Sequence, residues 1–75
     1  MQQEQDEQGR TIVKVLAVGR FGPAVERKCR ERARADAYRI GYGRVRKLRT
    51  IQEPGKTTLE YVAYRPLNQR GQEQP

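Results

Sequence analysis

Residues 11–41 read TIVKVLAVGRFGPAVERKCRERARADAYRIG. Where the apolar period changes within this stretch decides the fold. TIVKVLAV (11–18) is rich in β-branched residues and is too short for a free-standing helix. Val13, Val15 and Ala17 share one face, and Ile12, Leu16 and Val18 share the other with Lys14. Apolar residues on both faces imply an inner strand, or a sheet whose second face is covered by a partner. GRFGP (19–23) is the break, and Pro23 suits a first helical position, where its missing N–H costs nothing. A helix is predicted from about Ala24 to about Ile40. Val25, Cys29, Ala33, Ala37 and Ile40 recur at spacings of 4, 4, 4 and 3. They form a narrow stripe of mostly small side chains, suited to close docking on a sheet. Glu26 with Arg30, Arg27 with Glu31 and Arg32 with Asp36 are spaced as i,i+4 ion pairs. Gly41 stops the helix, and Gly43 adds a second flexible point.

Two more strands follow, RVRKLRTIQ (44–52) and TTLEYVAYR (57–65), with EPGK between them. Pro54 and Gly55 are the residues that a type II turn takes at its centre. That turn type splays strands, so a hairpin loop of four or five residues is predicted. Pro66 ends the last strand. The fold class is therefore α+β, a small β-α-β-β domain over residues 10–66 with one helix packed on a three-stranded sheet. Residues 1–9, acidic and Gln-rich, and residues 67–75 read as disordered tails. Seven of the eight Gln lie there, and such segments bury too little apolar surface to offset the entropy of ordering. The acidic first segment is foremost a solubilising tail, and secondarily a weak competitor for an anionic ligand.

Seventy-five residues make a marginal core, and the usual supports are missing. Cys29 is the only cysteine and there is no histidine, which excludes an intrachain disulfide and the common zinc sites. Association with copies of itself or with a ligand is expected. The longest apolar run, Val15 to Val18, is four residues, so no membrane span is predicted. With no secretory signal in view, a reducing cytoplasmic compartment is the expectation.

Charge is the strongest signal. Residues 10–66 hold fifteen cations against Glu26, Glu31, Asp36, Glu53 and Glu60, a net of +10. Such a body repels itself and attracts polyanions at long range. Twelve of the sixteen cations in the chain are Arg, which forks onto phosphate and stacks on bases. Catalysis is less favoured. Glu26, Glu31 and Asp36 sit where Arg residues pair with them, and Cys29 lies in the apolar stripe as a small buried hydrophobe. No catalytic residue, metal site or cofactor is predicted.

The nucleic-acid-binding candidates fall in three places. In the loop before the helix, Arg20 can hold a phosphate while Phe21 stacks on a base or plugs the core. On the helix, Arg27, Lys28, Arg30 and Arg34 lie on the solvent side. YRIGYGRVRKLR (38–49) contributes Arg39, Tyr42, Arg44, Arg46, Lys47 and Arg49 without one acid, and Lys56 lies in the following turn. Simple alternation puts Val45, Lys47, Arg49 and Ile51 on one side of this strand and Arg44, Arg46, Leu48 and Thr50 on the other. Cations on both sides imply an edge strand, or a hairpin that projects past the core and enters a groove. Tyr38, Tyr42, Tyr61 and Tyr64 serve either as core and rim or as stacking surfaces.

Gly19-Arg20, Ala24-Val25 and Thr57-Thr58-Leu59-Glu60-Tyr61 carry a resemblance to the second half of Alba-type nucleic-acid-binding domains, over about residues 11–66. That resemblance implies a dimer, Arg20 near a phosphate and a hairpin arm at 49–57 on a groove. The strand and helix that open the Alba fold, with their paired lysines, have no counterpart in residues 1–10. The element order also resembles dodecins, whose flavin-stacking Trp is absent. The expected function is a small non-enzymatic nucleic-acid-binding protein, with RNA slightly ahead of DNA. Its partners are nucleic acid and either a homo-oligomer or a larger assembly. The alternatives are a structural subunit of a ribonucleoprotein and a self-assembling, dodecin-like binding module.

Overall fold

The structure, a computed structural model, describes residues 3–5 and 9–68. Its elements run β1 (Gln3–Gln5), β2 (Thr11–Val18), α1 (Pro23–Arg39), β3 (Tyr42–Glu53) and β4 (Lys56–Pro66). Helix α1 packs on a three-stranded antiparallel sheet of order β2-β4-β3, the α+β arrangement predicted. Strand β4 is inserted between β2 and β3, so the helix bridges two strands that do not touch. Strand β3 is an edge, as its mixed cations implied.

The helix forms where the sequence starts and stops it. Pro23 opens it, the Glu26 N–H donates to the Gly22 carbonyl at 2.9 Å, and Glu26 lies in the positive first turn. At the other end Gly41 takes φ of 96°, a left-handed conformation that other residues adopt only at a cost. Its N–H donates to the Tyr38 carbonyl at 3.1 Å. Between these ends Cys29, Ala33 and Ala37 are buried against Val13, Val15 and Ala17 of β2 and Leu59, Tyr61 and Ala63 of β4. Phe21, Val25, Ile40, Tyr42 and Val45 close the rim of this core. Val13, Leu59 and Tyr61 supply its bulk, at roughly 1.5–3 kcal/mol for each fully buried apolar side chain. The helix contributes only small residues, so its backbone sits close to the sheet.

Three expectations change. The turn between β3 and β4 is two residues, Pro54-Gly55, because Glu53 and Lys56 already face each other in the ladder. Gly55 has φ of 77°, which suits the third position of a type II turn, so the tight loop closes without enlargement. The tail predicted over 1–9 includes β1, which pairs antiparallel with Thr11–Val13; residues 1, 2 and 6–8 lie outside the described residues. Beyond β4, the Leu67 N–H donates to the Gly41 carbonyl at 2.8 Å, and residues 69–75 of the second predicted tail again lie outside.

The small stripe sets the helix–sheet distance, so enlarging it strains the whole interface. Ala33→Leu, at a position with no exposed surface, is expected to destabilise the fold by about 1–3 kcal/mol in urea titration. Ala35→Leu, exposed two residues along, leaves the midpoint nearly unchanged.

Candidate nucleic-acid interface

Only one face of the sheet carries the helix. The other is set out in rows by the strand registers. Lys14, Glu60 and Arg49 form one row; Leu16, Thr58 and Ile51 the next; Ile12, Val62 and Arg46 a third. Arg44 lies opposite Tyr64 in the row beyond. This arrangement departs from simple alternation along β3, for a local reason. Lys47 faces Tyr61 but Arg49 faces Glu60, so Leu48 is an extra residue, a β-bulge. Past the bulge the side chains change faces. Arg44, Arg46, Arg49 and Ile51 therefore share the open face, while Val45, Lys47 and Thr50 share the helix side.

The bulge also sorts the ion pairs. Lys47 meets Glu26 of the helix at 3.1 Å, so Glu26 serves the sheet and not Arg30 as its spacing predicted. Among the described residues, no ion pair joins Arg27 to Glu31 or Arg32 to Asp36. On the open face Glu60 is only 3% exposed, and it is held from both neighbouring strands. Lys14 Nζ lies 3.6 Å from one carboxylate oxygen, and Arg49 Nε donates to the other. Lys56 and Glu53 pair across the turn at 3.7 Å.

The remaining cations do not form one surface. Two flanks of the helix carry them, and the flanks differ. Over β3, Arg30 and Arg34 of the helix face Gly43, Arg44, Val45 and Arg46 of the edge strand, with Tyr64 beside them. They line a cleft of about 480 Å³ with four arginines and, among the described residues, no acidic side chain in its lining. Over β2, a larger hollow of about 710 Å³ brings Lys14, Arg32 and Arg39 together with Asp36, Val15 and Leu16. Its size exceeds that of the β3 cleft, but its charge is partly balanced and its walls are partly apolar. The β3 cleft is the better polyanion site on chemistry. Arg34 and Tyr64 complete it, and their convergence required the strand order, which spacing along one element does not reveal.

Other candidates stand elsewhere. Arg20 is exposed in the loop after Gly19, and Arg27 is exposed near the start of the helix. Lys28 lines the β2 side with Cys29 and Arg32. Phe21 and Tyr42 are half-buried against the core, and the Tyr42 hydroxyl lies 3.3 Å from Thr11 Oγ1. The β3–β4 hairpin does not project. Strand β2 runs beside it to the Val18–Lys56 pair, and the Gly19 N–H donates to the Gly55 carbonyl at 3.0 Å. Next to this end, Leu16 (52% exposed), Val18 (78%) and Ile51 (38%) leave an apolar corner uncovered on the open face.

Among the described residues, no cluster of three potential metal ligands occurs, and no helix is long and apolar enough to cross a membrane. Compared with family models, curated proteins and solved structures, the chain matches none. The core holds two titratable groups with shifted protonation. Burial raises the Cys29 thiol above its ordinary value, and Arg32 offsets this only in part. Burial likewise raises the Tyr61 hydroxyl, which is fully enclosed without a hydrogen-bond partner. A protonated, enclosed thiol is a poor nucleophile.

Both groups stay protonated in the folded chain at pH values where the unfolded chain ionises them. Stability should therefore fall as pH rises through about 9 to 10, and be undiminished below that range. The urea midpoint followed from neutral to alkaline pH should fall less steeply in Cys29→Ala and in Tyr61→Phe. At neutral pH, Tyr61→Phe removes an unsatisfied hydroxyl and is expected to stabilise by about 1 kcal/mol.

Proposed function

We propose that this chain is a small non-enzymatic nucleic-acid-binding protein, with RNA ahead of DNA, that holds phosphates at the edge of its sheet. The observation that supports it is the convergence of Arg30, Arg34 and Arg46, with Arg44 beside them, in a cleft whose described lining holds no carboxylate. Bringing Arg30, Arg34 and Arg46 together from two packed elements has a cost, since like charges repel. An anionic polymer removes that cost and releases its own counterions. Arg presents a planar fork of donors, which suits phosphate oxygens better than a point charge does. The Cys29 thiol and the Glu60 carboxylate both lie outside this cleft, the one enclosed and the other ion-paired, which weighs against a nucleophilic or acid–base role for either.

A second reading, a subunit of a larger ribonucleoprotein or self-assembling particle, is favoured by the apolar corner of Leu16, Val18 and Ile51. A 75-residue chain gains from covering such a corner, and among the described residues the β2 edge next to it has no strand neighbour from Val15 to Val18.

Affinity for a labelled oligonucleotide, measured by anisotropy over a salt series, separates the cleft from the other flank. Replacing Arg30, Arg34 and Arg46 by Gln should reduce the log–log salt slope by about 2–3, and Lys28 with Arg39 by less than about 1. Equal losses from both sets, or no retention at low salt, would overturn the assignment. For the second reading, sedimentation velocity of the free chain is expected to show an oligomer that Leu16→Lys with Val18→Lys dissociates; a wild-type monomer at all concentrations removes it.

A further inference from the structure

The β3–β4 hairpin is not free to enter the groove of a duplex. Its β4 arm is paired with β2 from Lys56 to Ala63, and its turn is pinned by the Gly19–Gly55 hydrogen bond. What it offers instead is a strip of open sheet along β3. Arg44 and Arg46 point from this strip, and the bulge at Leu48 adds Arg49 to the same face. Side chains two apart on a strand are separated by about 6.5 Å. That repeat is comparable with the distance between successive phosphates of a stretched polynucleotide.

Tyr64 sits within this strip. It is directly across from Arg44, it lines the cleft together with Arg30 and Arg34, and 39% of its surface is exposed. It is the one aromatic side chain in the cleft lining. An exposed phenol ring among guanidinium groups gains little from duplex, whose bases are already stacked on one another. It gains from an unpaired base, which has a free π-face. From these positions we infer that the cleft takes single-stranded nucleic acid, running along β3 with one base stacked on Tyr64 and its phosphates on the flanking arginines. This rests on the nucleic-acid reading above and narrows it to the unpaired form. The β3 edge is the binding platform on this account, with Arg46 and Tyr64 on the open face and Arg30 and Arg34 reaching it from the helix side, and the apolar corner at the far end of the open face is separate from it.

The test uses the full chain with a short fluorescein-labelled RNA, either single or annealed to its complement, by anisotropy at low salt. The single strand is expected to bind more tightly. Tyr64→Ala and Tyr64→Leu should each weaken single-strand binding roughly 5- to 150-fold with the salt slope unchanged, and Tyr64→Phe should retain it. Tyr64→Leu keeps apolar cover on the sheet, and circular dichroism confirms that each variant is folded. Duplex binding equal to or tighter than single-strand binding, or single-strand binding indifferent to Tyr64, overturns the stacking platform and leaves the cation-based reading standing. Absence of binding to either form at low salt overturns both. An acidic peptide that binds the cleft as tightly as RNA does, with Tyr64→Ala neutral, also sinks it.

Discussion

Leu48 is one residue more than the β3–β4 ladder can pair. Lys47 faces Tyr61 and the next paired residue, Arg49, faces Glu60. Because side chains alternate with a period of two, one extra residue reverses the face of everything beyond it. The reversal puts Arg49 on the open face and opposite the buried carboxylate of Glu60, and leaves Lys47 on the helix side within reach of Glu26. Without the bulge, alternation would put Arg49 on the helix side, away from Glu60, and the charge pattern of the open face depends on this irregularity.

Glu60 occupies the central strand and is nearly sealed, yet it is ionisable. Its position is tolerable because cations approach it from both neighbouring strands at the same row. Breaking a buried pair by removing one member strands the other, which is far costlier than the pair itself is stabilising. Here the two cations are unequal: Lys14 is largely covered and Arg49 is mostly exposed. The Arg49 contact is accordingly screened by solvent and weaker, and the Lys14 contact carries more of the local order. A row of Lys, Glu and Arg across three strands also spaces the cations of this face, which would otherwise lie beside one another.

Much of the fold was legible. The stripe of Cys29, Ala33 and Ala37 is a helix signal that no strand would produce, and Pro23, Gly41, Pro54 and Gly55 mark the ends of elements for plain steric reasons. What could not be read is what depends on partners distant in sequence. Alternation along 44–52 assumes an unbroken strand, and no residue type announces a bulge at Leu48. Strand order is similar: the buried run Leu59–Ala63 belongs to the strand between β2 and β3, while TIVKVLAV, whose pattern fits an inner strand or a face that a partner covers, lies between β4 and, over Thr11–Val13, β1. The buried run was the available sign, obscured by Glu60 within it. Arg34 and Tyr64 were seen in the sequence only as available cation and ring, since their meeting at β3 is a consequence of the sheet order.

Cations on an edge strand have an ordinary explanation. An edge presents unpaired N–H and C=O groups, and charged side chains there discourage pairing with another chain. That account covers Arg44, Arg46 and Lys47 as residues of β3. It gives no reason for Arg30 and Arg34, which belong to the helix and protect no strand. It also gives no reason for the absence of acids among the described residues of the cleft lining, because carboxylates would deter edge pairing as well as cations do. Edge protection would be met more cheaply by alternating signs, which attract one another across the cleft. Positive charge drawn from two elements around one edge strand is the arrangement that a polyanion would relieve, and Tyr64 in that lining gives the polyanion a surface on which to lay a base.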